Sequence, residues 1–467
     1  MKDLFKNFLS FGLATTLEKL LLFLFIPIYS NYLTKDQLGA VDLLQVVAEA
    51  GSILALLQLE SAFQRYYLDF KGGLKKTFIT SNFIFIGVTS ILVALVLTLF
   101  ARQICLLLFA NDSYIDALKW SVAKMPFSNF SILAFIMLRF ERKTKQFFIY
   151  VLLRVISLLC CTFFFLKFID DSVIAIVASQ FCSMVITCLG LLFFLKNYLC
   201  IAYSKNFIKR SLRFSLPMVP ARIGSFTVTY ANRFFLVSLL SLSAIGVYSL
   251  SLKFASAIQI VYTAFIMAWT PFLFGNIKKE NAREIFKNIL PLAACPVFLI
   301  VCGITVFSTE LVKYFSTPIY AESAKYIGGL SLFFCLLIFK EIVDIGPKVK
   351  EKTQYITYSF FVSVIVNLIS LVILTNYFGI QGVVMSMILT NTCLFIMSWV
   401  ISNRLYHIPY ETLKFVIYAC PAYVIACIFL FYTPTLAYRL LILFGASVFY
   451  IINFVIIFKR NKSIIKM

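Results

Sequence analysis

Apolar runs of roughly 20 residues, each cut off by a short polar or basic stretch, recur along the whole chain, and that is the length an α-helix needs to cross a bilayer. The runs are continuous rather than alternating, which excludes a membrane β-barrel and predicts an all-α polytopic membrane protein. About fourteen such transmembrane helices can be counted from this pattern. They begin near Asn7, Leu38, Thr77, Ala117, Phe147, Ser172, Phe214, Gly246, Asn288, Glu322, Ile356, Gly382, Thr412 and Ala437. The first, from about Asn7 to Tyr32, is longer than the core of a signal peptide and reads as a retained helix. No intervening loop reaches the size of a folded domain, so function has to reside between helices.

A faint internal repeat organises the spans. Leu33…Gly39-Ala40-Val41, between spans 1 and 2, resembles Leu240…Gly246-Val247-Tyr248, between spans 7 and 8. The offset predicts two six-helix lobes of the same orientation, as in a parallel repeat about the membrane normal. Residues 1–203 would form an N-terminal lobe of helices 1–6, residues 204–405 a C-terminal lobe of helices 7–12, and residues 406–467 the additional helices 13–14. In two-lobed transporters the substrate lies between the halves, in a central cavity.

Composition sharpens this picture. Hydrophobic residues make up 61% of the 467 and charged residues only 13%, yet the net charge is +22. That charge does not indicate a nucleic-acid partner, because it lies in short loops on alternate sides of the spans. One set of loops holds clusters such as Arg139, Arg142, Lys143 and Lys145, or Lys205, Lys209, Arg210 and Arg213; the other holds little beyond Lys35, Arg102, Lys119, Lys167 and Lys313. By the positive-inside rule both termini are expected in the cytoplasm. The 12 cysteines contain no C-x-x-C spacing and His407 is the single histidine, so a zinc site has almost no material and no metal is expected.

The charges that stay within the spans are the informative ones. Each arginine near the centre of a bilayer costs about 2.5–3.5 kcal/mol on insertion scales. Span 7 nevertheless carries Arg222 and Arg233, which fall within roughly 20° of one helix face, with Ser225 and Thr229 between them. Span 8 carries Lys253, span 4 Lys124, span 5 Arg154 and span 1 Lys19 beside Glu18. Span 2 has the opposite sign, with Asp42, Gln45, Glu49 and Ser52 on one face. These six cations and three carboxylates are expected to face protein or water. If most meet in one cavity, it is cationic and suits an anionic substrate, with Arg222, Arg233 and Lys253 converging on it. Each has a plainer reading: Lys124 and Arg154 could snorkel, and Lys19 could be neutralised by Glu18 or Asp42. A carboxylate of span 2 could also bind a coupling ion, H⁺ or Na⁺. Asp42 lies near the outer end and could be solvated, which favours Glu49.

Span 7 also carries a family resemblance. The stretches RFSLPMVPARIGSF, YANRFFLVSLLSLSAIGVYSLSLKFA and AFIMAWTPFLF resemble the polysaccharide transporter family, the Wzx-type oligosaccharide flippases of the multidrug/oligosaccharidyl-lipid/polysaccharide exporter superfamily. The matching positions are Ser215-Leu216-Pro217 and Pro220, Gly246, Tyr248 and Ser249 leading to Lys253, and Trp269 with Pro271. Where the family usually has Asp-Arg, this chain has Asn232-Arg233. YLTKDQLGAVDLL resembles the family's loop between spans 1 and 2.

The resemblance implies a transporter rather than an enzyme, with a cavity opening alternately to each side of the cytoplasmic (inner) membrane. The implied substrate is an undecaprenyl-diphosphate-linked oligosaccharide, flipped to the outer leaflet for a cell-surface polysaccharide such as O-antigen. Expected partners are that substrate, membrane lipids and polysaccharide assembly proteins, but not nucleic acid. No cofactor is expected beyond the coupling ion. A lipid II flippase is the nearest alternative. A multidrug exporter would want an acidic cavity, and a membrane glycosyltransferase or polymerase an acidic motif in a sizeable loop.

Overall fold

The computed structural model describes Thr16 and residues 23–277, 279–350, 352 and 354–460. Every regular element among the described residues is helical. The long helices are α1 (Lys35–Leu56), α2 (Gly72–Leu99), α3 (Ile115–Ala123), α4 (Met125–Phe140), α5 (Thr144–Phe168), α6 (Ser172–Leu195), α7 (Val219–Leu239) and α8 (Leu242–Ala255). They continue with α9 (Ile258–Asn276), α10 (Ala282–Val306), α11 (Ala324–Val343), α12 (Gln354–Phe378), α13 (Ile380–Leu405), α14 (Thr412–Phe431) and α15 (Leu436–Arg460). Among the described residues 11 helices are long and apolar enough to cross a membrane, or 12 if α8 and the first part of α9, bent by 42°, are one span. Two of the spans counted in the sequence are absent from that set. Most of span 1 lies outside the described residues. Span 7 is α7, 21 residues long, whose two arginines and run of Ser, Thr and Asn dilute its apolar content.

Large apolar side chains cover much of the surface, and polar side chains are buried among the apolar ones inside. Leu92, Leu95 and Leu99 on α2 and Phe163 and Phe164 on α5 are exposed, whereas Ser81, Asn82, Ser90 and Asn129 are fully buried. The buried groups are tied to one another or to the backbone: Asn129 donates to Ser90 at 2.9 Å and Ser121 to the Leu44 carbonyl at 3.0 Å. In hydrocarbon a polar side chain has to be satisfied by protein, so these hydrogen bonds join neighbouring helices.

The chain forms two compact units. In the first, which includes residues 23–25 and 32–246, α1 is the central element and packs on α2, α3, α4, α6 and α7. Thr34 starts it with a capping box, its hydroxyl accepting from the Gln37 amide while the Gln37 side chain accepts from the Thr34 amide. Leu57 and Gln58, both at positive φ, end it sharply. Pro220 stands in the first turn of α7 and Pro217 in the short 3-10 turn before it, which suits a residue type that lacks the N–H a helix start leaves unused. In the second unit, residues 26–31 and 247–467, α11 is central and packs on α9, α10, α13 and α14.

The C-terminal hairpin α14–α15 belongs to this second unit and is pinned at both ends. Arg439 makes a two-pronged pair with Glu310, both contacts at 2.8 Å, and also donates to the Val306 carbonyl. At the other end Glu411 faces Lys414, Arg460 and Lys287. The Lys414 hydrogen bond is the main reason the Glu411 carboxyl lies below the usual carboxylate range, outweighing its partial burial.

Within the first unit the two repeat motifs meet. A Cβ on Gly39 would strike the Leu242 carbonyl oxygen, and a Cβ on Gly246 would strike the Lys35 carbonyl oxygen. The contacts exchange under the repeat, since Lys35 and Gly39 correspond to Leu242 and Gly246. Ser243 donates to Asp36 across the same crossing at 2.8 Å. Gly39→Ala and Gly246→Ala are each expected to destabilise the protein by about 1–3 kcal/mol, as overpacking does. Gly87→Ala, whose Cβ meets nothing within 4 Å, should be neutral or gain up to about 1 kcal/mol. Thermal unfolding of the purified variants in detergent checks all three.

Candidate functional site

Helix α7 presents its polar stripe to α1 inside the first unit. The Arg233 side chain is 3% exposed and its Nε donates to Asp42 Oδ2 at 2.9 Å; the Asp42 side chain is 14% exposed. Arg233 Nη1 also donates to the Thr229 carbonyl at 2.7 Å and to Asn232 Oδ1 at 2.8 Å, and the guanidinium lies 5.1 Å from the Tyr230 ring centre. A buried arginine is tolerable only when its charge and its donors are both met, and α7 and α1 together do this. The carboxylate that the family pattern places at 232 is replaced by the amide of Asn232, while Asp42 on α1 supplies the negative charge.

Arg222, three turns earlier on the same helix, is held differently. Its Nη2 lies 3.6 Å from Glu49 Oε1, and the two side chains are 45% and 42% exposed. That separation is too long for a good hydrogen bond. The guanidinium therefore keeps donors open toward its surroundings. Asp42, expected to be solvated, is instead enclosed by Arg233, and Glu49 is the more open of the two carboxylates. The reason is the register of α7 on α1, which sets Arg233 against the N-terminal part of α1 and Arg222 two turns farther along it.

The other sequence candidates stand on other helices. Lys124 sits at the break between α3 and α4, donates to Gln180 on α6 at 2.8 Å and lies in the field of Glu49. Arg154 on α5 is half-buried, 5.6 Å from the Phe135 ring centre, while its carbonyl accepts from Ser157 and Ser183. Lys253 belongs to the second unit, 5.0 Å from the Tyr29 ring centre. Lys19 and Glu18 lie outside the described residues. Among the described residues no group of three or more His, Cys, Asp or Glu side chains could hold a metal ion.

With this geometry in place, the chain can be set beside known proteins. A sequence profile of the family described as "Polysaccharide biosynthesis protein" matches residues 4–277. The chain belongs to the polysaccharide biosynthesis protein family. No curated protein sequence matches it. Among solved structures it is similar to the lipid II flippase MurJ in an inward closed conformation, with a TM-score of 0.74 at 15% identity over 96% of this chain and 99% of that one. It is also similar to an inward-facing multidrug resistance MATE family transporter of the MOP superfamily, with a TM-score of 0.65 at 14% identity over 86% and 96% of the two chains. A MOP superfamily transporter from Pyrococcus furiosus, titled for the reverse polarity of its binding pocket, gives a TM-score of 0.55 at 13% identity over 86% and 96%. This polysaccharide biosynthesis protein is thus a multi-pass membrane protein with the fold shared by MurJ and the MATE transporters.

Two groups in this family member escape a reading of the sequence. Tyr230 sits in the combined field of Glu49, Arg233, Asp42 and Arg222, and only its place within the arginine stripe could have singled it out. In the second unit Lys340 Nζ lies 3.1 Å from Glu341 Oε1 and 2.9 Å from Asp344 Oδ2, the latter an ion pair off the line of a hydrogen bond. Lys348 closes the set on Glu341 at 2.9 Å. The Lys340 and Asp344 side chains are 7% and 1% exposed. The signal was the Lys-Glu-x-x-Asp spacing at 340–344, which puts opposite charges one helical turn apart in an apolar run.

The two pairs on α7 predict opposite responses. Asp42→Asn leaves the buried Arg233 without a counter-charge and is expected to lower stability by about 3–5 kcal/mol. Glu49→Gln, at a half-exposed pair, should change it by less than about 1 kcal/mol. Unfolding temperatures in detergent, with Asp42→Leu/Arg233→Met as the isosteric repair, measure the difference.

Proposed function

We propose that this polysaccharide biosynthesis protein is a flippase. It moves an undecaprenyl-diphosphate-linked oligosaccharide from the cytoplasmic to the outer leaflet of the cytoplasmic membrane, for a cell-surface polysaccharide of the O-antigen type. In this reading about fourteen spans form two six-helix lobes, residues 1–203 and 204–405, around a cationic central cavity that opens to each side in turn. Spans 13 and 14 lie in residues 406–467, and the basic loops put both termini in the cytoplasm.

The observation that carries the proposal is the open guanidinium of Arg222, loosely paired with Glu49 in a family tied to polysaccharide biosynthesis. A diphosphate concentrates negative charge and accepts bidentate donation from arginine. A loosely paired arginine can exchange its carboxylate for phosphate at little cost, whereas Arg233, tied at 2.9 Å to Asp42, holds the helix that presents Arg222. Lys124, Arg154, Lys253 and Lys19 are proposed to add positive charge along the path. Glu49, released when phosphate takes Arg222, becomes the group that binds H⁺ or Na⁺; Asp42 and Glu18 are the other carboxylates proposed for coupling.

Reconstituted into liposomes and given a lipid-diphosphate oligosaccharide, Arg222→Ala should lose most transport while keeping the parent's unfolding temperature. Arg222→Lys should be intermediate, since it keeps the charge and loses the planar fork. Undiminished flipping by Arg222→Ala would remove the proposed phosphate contact. Lipid II, offered in the same assay, is the competing substrate, and preferential flipping of lipid II would reassign the cargo. Glu49→Gln is expected to transport without responding to an imposed proton or sodium gradient. A gradient response equal to the parent's would exclude Glu49 as the coupling group.

A further inference from the structure

The helix Lys205–Ser215 lies outside the arginine site, and its two faces differ sharply. One face is docked on the first unit. Ile208, Ser211 and Ser215 are buried, and the Phe207 ring packs 4.8 Å from Phe70 and 5.8 Å from Phe78. Arg210 pairs with Asp69 at 3.3 Å and lies 4.4 Å from the Tyr66 ring centre. The segment leading into the helix is tied down too: the Cys200 amide donates to Thr80 and the Ser204 amide to Ser81. The helix is therefore fixed in orientation, not a loose basic loop.

The other face carries Lys205, Lys209 and Arg213, all exposed and spaced one turn apart. Some exposed cations of this unit have carboxylate partners, as Arg65 has Asp69, Arg102 has Asp112 and Lys119 has Asp116, whereas these three form an unpaired row on one fixed helix face. Among the described residues no carboxylate lies within ion-pair distance of these three, and the one nearby on the docked side, Asp69, is taken by Arg65 and Arg210. The same three cations line a shallow open groove of about 510 Å³ whose remaining walls are Tyr203, Ile208, Leu212 and Leu216. Tyr203 and Leu216 are exposed. A cationic row with an exposed apolar rim matches the interface of a bilayer, where phosphate lies beside the first carbons of the acyl chains.

We propose that this face binds the phosphate headgroups of anionic glycerophospholipids. At 1.5 Å of rise per residue the three cations are strung over about 12 Å of helix. They do not converge on one point, as a site for a single diphosphate would require; they meet separate monophosphate headgroups side by side. Anionic lipid thereby fixes the depth of the first unit through a row of charges that the protein leaves unmatched.

The test uses the full chain in phosphatidylcholine vesicles containing a minor fraction of spin-labelled phosphatidylglycerol or spin-labelled phosphatidylcholine, read as the motionally restricted fraction at the protein surface. The parent should retain phosphatidylglycerol preferentially, and salt should weaken the preference. Lys205→Gln/Lys209→Gln/Arg213→Gln should remove most of it, by up to about fivefold per cation. Arg142→Gln/Lys143→Gln/Lys145→Gln, an equal charge change in another loop, should leave it intact. All six positions are at or near the surface, and an unchanged unfolding temperature verifies the fold. Equal loss in the two triple variants, or none in the first, would overturn the proposal by making the preference a property of net charge. Displacement of phosphatidylglycerol from this face by a polyprenyl diphosphate at equal mole fraction would overturn it in favour of the substrate.

Discussion

The buried pair of Arg233 and Asp42 is the constraint on which the arginine site depends. An arginine enclosed in a helix bundle needs its charge neutralised and its donors occupied, and here the work is divided between two helices and the α7 backbone. The pair sets the rotation of α7, because turning the helix would withdraw Arg233 from Asp42. Once that rotation is set, Arg222, on the same face, is delivered to Glu49 without needing a close bond of its own. Tyr230, with its ring beside Arg233, falls between the two pairs for the same reason. One arginine is thus consumed in positioning, and the other is left chemically available.

Much of this was legible in the residues, and the part that was not has a definable cause. The all-α class and the apolar helices follow from continuous runs, and the common face of Arg222 and Arg233 follows from their spacing along one helix. The family followed from short motifs around span 7, which the profile match over residues 4–277 bears out. The partners of the arginines were hidden, because helical periodicity gives a face but not which residue of the next helix it meets. Asp42 therefore looked solvated when it is enclosed. Lys340 and Asp344 were overlooked for a related reason: a charge pair that neutralises itself within one turn leaves little mark on a hydropathy pattern. The break of span 8 at Ser256–Ala257 was also invisible, since no proline or glycine marks it.

The two units distribute polarity in different ways. In the first, charge is exchanged between helices, α7 to α1 and α3–α4 to α6. In the second, Lys340 and Glu341 in the last turn of α11 are met by Asp344 and Lys348 in the segment that follows it. A pair shared between helices opposes any sliding of one against the other. The C-terminal hairpin shows the first pattern again, held by Glu310 and Glu411 at its two ends.

The crossing at Gly39 and Gly246 differs from all of these, because its closest approaches are of glycine to backbone carbonyl, beside the Ser243–Asp36 hydrogen bond. Each glycine meets the carbonyl of the residue that stands in the other repeat where its own neighbour four positions back stands. Such a contact has no side-chain identity to tune. It cannot be strengthened by substitution, retuned for a new cargo or made sensitive to protonation; it fixes only how closely two helix starts approach. A protein that changes the side chains lining its helices would keep this point of reference unchanged, and the variable chemistry would be measured from it.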